Sequence, residues 1–434
     1  MVDAVKVAVL GCGTVGGEVV RLLTNSASDL RSRVGARLEL VGVAVKDLDE
    51  PLPLDGLDRS LLTEDAVGLA GRADVVVELM GPIEPARSAI LAAFAAGASV
   101  VTANKALLAS HGPELYEAAR AAGVDLYFEA AVGGAIPILR PIRESLAGDT
   151  VTRILGIVNG TTNYVLDRMT GEGLELADAV RQAQELGYAE ADPTADVDGY
   201  DAASKAAILA SLAFHTRISA DDVYREGIGQ VTADDVAAAA ATDHVIKLLA
   251  IVERRGAGSP PEGVIARVHP ALVPKSHPLA SVRGAFNAIY VEAAAAGELM
   301  FYGRGAGGRP TASAVVGDLV TVARHKVSGT LGPGESAYLG LPALPVSQAL
   351  TRFQIRLVVK DQPGVLAAVS RVIAGEGVSI EAVRQTPGAH GRGLADLTVV
   401  THQATEGALQ KTVAALAGLE VVAEVAGALR VEGE

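Results

Sequence analysis

The chain is predicted to belong to the α/β class, with a doubly wound parallel sheet first, an α+β region in the middle and a ferredoxin-like module last. Three features of its 434 residues predict this. An apolar strand runs into a glycine-rich turn and a helix near the N-terminus. Strands and helices then alternate through the first part of the chain. Residues 353–434 read strand, helix, strand, strand, helix, strand.

Val5–Leu10 is the first strand, Gly11-Cys12-Gly13-Thr14-Val15-Gly16 follows it, and Glu18–Leu23 continues as a helix. In such a unit the first glycine makes the turn and the second lets backbone approach a pyrophosphate. The third allows close packing of helix on strand. The helix N-terminus offers amides and the positive end of its dipole to the phosphates. Gly11, Gly13, Thr14, Val15 and Gly16 are therefore the expected cofactor-binding turn. Further strands are expected at Leu38–Val45, Asp74–Glu78 and Ser99–Thr102, separated by helices such as Pro85–Ala96. An acid at the end of the second strand would hold the ribose of NAD. Val45-Lys46-Asp47 stands there: Lys46 suits the 2′-phosphate of NADP, Asp47 or Asp49 suits NAD, and the balance leans to NADP. Lys105 sits just past a strand end, where ligands bind in such sheets. Elsewhere it would read as an ordinary surface lysine.

The segment from Phe128 to Pro137 is apolar and glycine-rich, with one carboxylate, Glu129. Such a turn aims several carbonyls at one point and, with Glu129, suits a hard cation. The plainer alternative is a crossover between domains with Glu129 hydrogen-bonded locally. Glu185–Asp201 places Glu190, Asp192, Asp196, Asp198 and Asp201 ahead of a helix. It is not a calcium loop: with Gly199 as the sixth residue, the first and twelfth positions are Thr194 and Lys205. Its acids serve either as solvated charge and helix caps or to grip a substrate ammonium. Asp201–Phe214, DAASKAAILASLAF, is apolar round nearly its whole circumference and is predicted to be a buried helix. Lys205 shares a stripe with Ile208, Leu209 and Leu212, one turn after Asp201. A lysine held there is partly desolvated and suited to proton transfer. The alternatives are a snorkelling ammonium or a structural i,i+4 pair.

Residues 327–352 are rich in Gly, Pro and Ser and read as a linker. Phe353–Val359, Val365–Ala374, Val378–Arg384, Leu394–Thr401, Glu406–Ala417 and Glu420–Val431 then give the βαββαβ order. Gly364 at the first strand–helix turn would let a ligand carboxylate approach backbone amides.

Composition sets the frame. The length implies two or three domains. Half the residues are hydrophobic but only 3% are aromatic, so the cores rest on Ala, Val, Leu and Ile. A net charge of −14 argues against a nucleic-acid partner, which needs a basic face. Cys12 is the only cysteine, which excludes an internal disulfide and a CxxC motif. No signal peptide or membrane span is read, and a cytoplasmic location is expected.

These motifs together resemble homoserine dehydrogenase, which interconverts homoserine and aspartate 4-semialdehyde with a nicotinamide cofactor. The resemblance covers nearly the whole chain. It rests on GCGTVG from Gly11, ELMG from Glu78, TANKALLA from Thr102, EAAVGGAIPI from Glu129, GIVNGTTNY from Gly156 and GRGAGGRPTASAVVGD from Gly303. ELGYAEADPTADVDGYDAASK, ending at Lys205, is the most specific of them. With its DQPGVL turn the C-terminal module resembles an ACT domain, a regulatory fold that often binds amino acids between paired modules.

The resemblance implies a Rossmann-type domain at 1–128, with 303–326 returning to it. It implies a substrate-binding, catalytic and dimerisation domain at 129–302, a linker at 327–352 and an ACT regulatory domain at 353–434. Lys205 would be the general acid/base at the substrate oxygen and Lys105 the second cleft lysine. Glu190 would bind the substrate amino group, Asp196 would join the substrate-binding acids, and Asp201 would orient substrate or lysine. Glu129, with the carbonyls of Val132, Gly134 and Ile136, resembles a monovalent-cation site, sodium favoured. Gly187 and Gly303 would approach the cofactor. The implied effector is threonine, a product of the pathway, and the implied assembly is a homodimer or homotetramer. Oxidation would be favoured at alkaline pH. Two departures are noted: Pro82 replaces a common glycine, and Ser204 stands where a histidine is frequent. An aspartate semialdehyde dehydrogenase is disfavoured, since it needs a thiolate and Cys12 lies in the phosphate turn. An idle amino-acid sensor would have no use for Lys105, Glu190, Asp201 and Lys205 together.

Overall fold

In the computed structural model, which describes residues 2–54, 56–256, 258, 261–387 and 393–433, the chain forms two units. The first comprises Met1–Gly160, Asp201–Val223 and Ala285–Pro342; the second comprises Thr161–Tyr200, Tyr224–Gly284 and Ala343–Glu434.

The first unit contains a six-stranded sheet: β1 (Ala4–Leu10), β2 (Arg37–Ala44), β3 (Leu62–Thr63), β4 (Val75–Glu78), β5 (Ser99–Thr102) and β6 (Leu126–Tyr127). The order is β3-β2-β1-β4-β5-β6 and every pair is parallel. Helices cover both faces, which is why the valine runs of β1 and β4 are apolar on both sides. The order reverses between β1 and β4, so the ligand crevice of such a sheet lies beyond their C-terminal ends. The helix Gly308–Ser328 returns to this domain and builds its core. Ala312, Val315, Leu319 and Val322 pack with Val5, Val7, Val19 and Leu23.

Also in the first unit, β7 (Val151–Ile157) pairs antiparallel with Phe286–Ala293, which pairs with Gly297–Arg304. The expected buried helix runs from Tyr200 to Ala213, and all its residues from Ala202 to Ala213 except Ser204 and Ser211 are buried. The tail of the expected linker is not loose. The Gly332 amide donates to Asp125 at 2.8 Å, and Glu335 accepts two bonds from Arg217 at 2.9 Å. Tyr338 stacks on His215 with centroids 4.6 Å apart, and Thr216 Oγ1 donates to the Leu341 carbonyl at 2.8 Å. Glycine, proline and serine signal missing regular structure, which does not preclude specific contacts.

In the second unit, His244–Arg255 and Gly263–Pro274 form an antiparallel pair. The C-terminal module has the expected order, with strands at Leu350–Lys360, Ile380–Pro387, Leu394–Thr401 and Val422–Val431 and helices at Val365–Gly375 and Glu406–Ala417. Its second strand starts later than predicted because Gly377 closes the preceding helix with φ +72°. Ile355, Leu357, Val369, Ile373, Leu397 and Leu409 fill its core. Its last strand continues alongside Gly263–Pro274, pairing Ala271 with Arg430. Buried ion pairs reinforce that joint: Arg267 bonds Glu253 at 2.8 Å and Glu432 at 3.2 Å, and Arg430 bonds Glu406 at 2.7 Å. Among the described residues no helix is long and apolar enough to cross a membrane.

Candidate active site

The glycine turn has the geometry its spacing predicts. Gly11 has φ +96°, and a Cβ there would lie 2.7 Å from the Leu79 carbonyl oxygen. A Cβ on Gly16 would lie 1.9 Å from the Gly11 carbonyl oxygen, so the helix packs on the turn only because that side chain is absent. Gly13, the N-cap of Thr14–Asn25, has nothing within 4 Å of its Cβ position and opens toward the cleft. Gly11, Gly13, Lys46, Asp47, Leu79 and Pro82 line that cleft. Lys46 is exposed at the end of β2, beside Asp47, whose carboxylate accepts the Asp49 amide at 2.8 Å. Thr14 and Val15 open the helix.

Glu78 ends β4 fully buried under this crevice. Burial pushes its carboxyl up, against opposing hydrogen bonds from Thr102 and the Met80 amide. Thr102 Oγ1 donates to Glu78 at 2.5 Å and accepts from the Asn104 amide at 3.0 Å. Asn104 then caps the helix Lys105–Ala122 by accepting from the Leu107 amide at 3.1 Å. Thus TANK is a built corner that launches Lys105 from the first position of a helix. A cation there opposes the helix dipole and needs an anion.

Asp201 is that anion. Its Oδ1 lies 3.0 Å from Lys105 Nζ and its Oδ2 lies 2.7 Å from Lys205 Nζ. Asn159 Nδ2 donates to Oδ2 at 2.9 Å, and Lys205 also donates to the Val158 carbonyl at 2.7 Å. Lys205 is 8% exposed, whereas the Lys105 side chain is 43% exposed. Burial alone would push the Asp201 carboxyl up. The ammonium groups of Lys205 and Lys105, with bonds from Lys205 and Asn159, outweigh it and hold the carboxyl well below the usual range. Two lysines 100 residues apart in sequence therefore share one carboxylate. Two of the three N–H bonds of Lys205 are committed among the described residues, to Asp201 and to the Val158 carbonyl.

In the loop after β6, Glu129 is buried. Its carboxylate accepts the amides of Ile138 at 2.5 Å, Leu139 at 2.8 Å and Arg140 at 2.9 Å, capping the helical turn that starts there. Free amides at a helix start attract a buried carboxylate more strongly than a distant cation does. The backbone still fits a cation. Among the described residues no N–H donates to the carbonyls of Val132, Gly134 or Ile136, and all three residues are buried or nearly so. The Glu129 amide donates to Asp318 Oδ2 at 2.7 Å. Burial pushes the Asp318 carboxyl up to about 7, with the Glu129 charge adding to it and Arg140 opposing.

Other expected positions are placed as follows. Gly303 lies on the strand Gly297–Arg304, where a Cβ would meet Ile136 at 3.2 Å. The glycine of that return segment that touches the nucleotide turn is Gly308, whose Cβ would lie 2.7 Å from the Thr14 carbonyl oxygen. Gly187, Glu190 and Asp196 belong to the second unit. Gly187 has φ +74° in an exposed turn, and Glu190 is exposed with its carbonyl bonded to Gln184 at 3.0 Å. Asp196 is half-buried in the short helix Thr194–Val197. Val158, Asn159, Glu78 and Gly308 were not singled out as site residues by sequence reasoning. The motifs that carry them were visible, but their contacts are long-range.

The chain is similar to known proteins over nearly its whole length. The family profile for homoserine dehydrogenase matches residues 137–320, that for the homoserine dehydrogenase NAD-binding domain matches 11–129, and that for the ACT domain matches 353–418. The homoserine dehydrogenase of Mycobacterium tuberculosis is 57% identical over 436 residues, covering 99% of this chain and 98% of that one. The crystal structure of a homoserine dehydrogenase from Thiobacillus denitrificans superposes with a TM-score of 0.91 at 38% identity, covering 99% of each chain. A hyperthermophilic archaeal homoserine dehydrogenase, solved in complex with NADPH, matches 76% of this chain and 99% of its own with a TM-score of 0.61 at 26% identity.

Proposed function

This chain belongs to the homoserine dehydrogenase family, and on that premise we propose that Lys205 is the general acid/base for the NADP-dependent interconversion of L-homoserine and L-aspartate 4-semialdehyde. The observation that carries the reading is the Asp201 carboxylate held within 3.0 Å of both Lys105 and Lys205. The nicotinamide, when bound, accepts the hydride from the hydroxyl carbon of homoserine. Neutral Lys205 takes the hydroxyl proton, and in reverse its ammonium returns a proton to the developing alkoxide. Asp201 stabilises the ammonium formed in the oxidative direction and holds Lys105 at the same oxygen cluster. Lys105 supplies positive charge to the substrate oxygen side of the cleft. One proton leaves per oxidation, so alkaline pH favours the aldehyde.

Glu190 is proposed to bind the substrate ammonium, with Asp196 in support. Gly187 and Gly303 are proposed to line the cofactor. Lys46 is proposed to pair with a 2′-phosphate, a reading supported by its exposed place at the end of β2 and by the NADPH bound to the archaeal relative. A sodium ion fits the carbonyls of Val132, Gly134 and Ile136, with Glu129 contributing through its backbone rather than its carboxylate. It would brace the loop without entering the proton transfer. Feedback inhibition by threonine at the ACT module is proposed, supported by that domain match and by the anchored segment 332–341 that leads into it. Assembly as a homodimer or homotetramer goes with paired ACT modules.

Absorbance at 340 nm with homoserine at pH 9, with NADP and NAD in parallel and with threonine titrated, tests this reading. Homoserine-dependent reduction, faster with NADP and suppressed by millimolar threonine, is expected. A folded sample that binds a cofactor but reduces neither would refute the activity. Equal rates would refute the role of Lys46, and unchanged kinetics with threonine would refute the regulation.

A further inference from the structure

We infer that Asn159 is a positioning residue for the proton transfer, fixing the Asp201 carboxylate so that Lys205 and Lys105 stay on its two separate oxygens. The inference rests on the role proposed for Lys205. Val158 and Asn159 join β7 to the helix Gly160–Glu172, and both are buried. From this one turn the Val158 carbonyl accepts Lys205 Nζ at 2.7 Å, while Asn159 Nδ2 donates to Asp201 Oδ2 at 2.9 Å. A single dipeptide therefore grips both members of the Asp201–Lys205 pair. Its backbone is held as well: a Cβ on Gly160 would lie 2.7 Å from the Ala285 carbonyl oxygen, so the turn is pressed against its neighbour.

The chemistry explains why an amide stands there. The torsion that turns an aspartate carboxylate is soft and roughly two-fold, so its plane needs an outside constraint. Lys205 holds Oδ2, but Lys105 reaches Oδ1 with a side chain that is 43% exposed, so that oxygen is only weakly fixed. Asn159 fills a second acceptor site on Oδ2 without adding charge. A third cation there would overcompensate the single carboxylate, and a second carboxylate would repel it. With the plane fixed, Lys205 is held between two acceptors from different elements, Val158 and Asp201, and its remaining N–H direction is set toward substrate.

The test compares Asn159→Ala, Asn159→Asp and Lys205→Ala with the parent enzyme, reading kcat, KM, cofactor affinity by NADPH fluorescence titration, melting temperature and the pH profile of homoserine oxidation. Asn159→Ala is expected to lower kcat roughly 10- to 100-fold, with cofactor affinity within about twofold. Asn159→Asp donates to Asp201 only while protonated. Its activity relative to the parent is expected to fall at neutral and alkaline pH and to recover toward acid pH. A merely structural asparagine would move stability and leave the shape of the profile unchanged. If Asn159→Ala does not fold, the Asn159→Asp profile decides. Parent-like kcat in Asn159→Ala, or a parent-shaped profile in Asn159→Asp, with Lys205→Ala inactive, overturns the role of Asn159 alone. Turnover retained by Lys205→Ala overturns the acid/base reading itself.

Discussion

Replacing Asp201 by Asn removes the charge that two lysines share while keeping the side chain's shape. Coulomb's law at an effective dielectric of about 20 gives roughly 6 kcal/mol of attraction for the Lys205 pair at 2.7 Å. The Lys105 pair, at 3.0 Å, is screened because that side chain is 43% exposed, and it counts for much less. Desolvation takes back part of the buried term, and breaking a buried pair by removing one partner typically costs about 3–5 kcal/mol. Geometry makes Asn a poor substitute. All three contacts of Asp201 are donors, Lys205 and Asn159 on Oδ2 and Lys105 on Oδ1. Whichever way the new amide turns, its NH2 group meets at least one donor. The lysine that must accept the substrate proton then loses the anion that stabilises its charged form. A loss of about 2.7–4 kcal/mol in transition-state stabilisation, roughly 10²- to 10³-fold in kcat/KM for homoserine, is expected. Steady-state oxidation at pH 9, normalised to folded protein by circular dichroism, measures it. A kcat/KM within about threefold of the parent would refute the argument that the shared carboxylate supports proton transfer.

Three further outcomes follow from other parts of the molecule. Gly16→Ala places a Cβ 1.9 Å from the Gly11 carbonyl oxygen; backbone cannot yield there cheaply, so NADPH titration is expected to show cofactor binding lost and the melting temperature lowered. Lys247, buried against Asn163 and the Val282 carbonyl, is pushed down to about 8 by burial, with the nearby Asp167 opposing and Arg283 adding. Its folded value lies below the unfolded one, so the unfolded chain holds more protons between about pH 8 and 10.5. Stability relative to Lys247→Met is then expected to rise across that window by about 3 kcal/mol, with the full penalty below it, as read by denaturant unfolding at several pH values. Arg267→Ala removes a fully buried guanidinium that bonds both Glu253 and Glu432 and is expected to cost about 3–5 kcal/mol in the same assay; a change under about 1 kcal/mol would contradict that network's role.

What could be read from the sequence was mostly local. The valine strand, the glycine turn and the following helix are contiguous, so their pattern alone defines the crevice. The helix carrying Lys205 was legible because its apolar residues surround it, and burial bears that out. The C-terminal βαββαβ order was likewise a matter of short-range periodicity. The misses are long-range or directional. Asn159 reaches Asp201 across 42 residues and Val158 reaches Lys205 across 47, separations at which no periodicity operates. Glu129 was read as the one carboxylate of a glycine-rich turn; spacing does not tell which way a carboxylate points, and the amides of 138–140 claim it. The stretch read as a linker packs His215 and Arg217 against Tyr338 and Glu335, contacts invisible in a glycine-rich composition.

The central claim is that Lys205, held by Asp201 and the Val158–Asn159 turn, moves the substrate proton. Homoserine oxidation by Lys205→Ala at pH 9, followed at 340 nm beside an NADPH titration of the same sample, tests it most directly. The account predicts turnover lower by roughly 10³-fold or more with cofactor affinity within about twofold of the parent. Turnover within tenfold of the parent, or loss of cofactor binding, would contradict it.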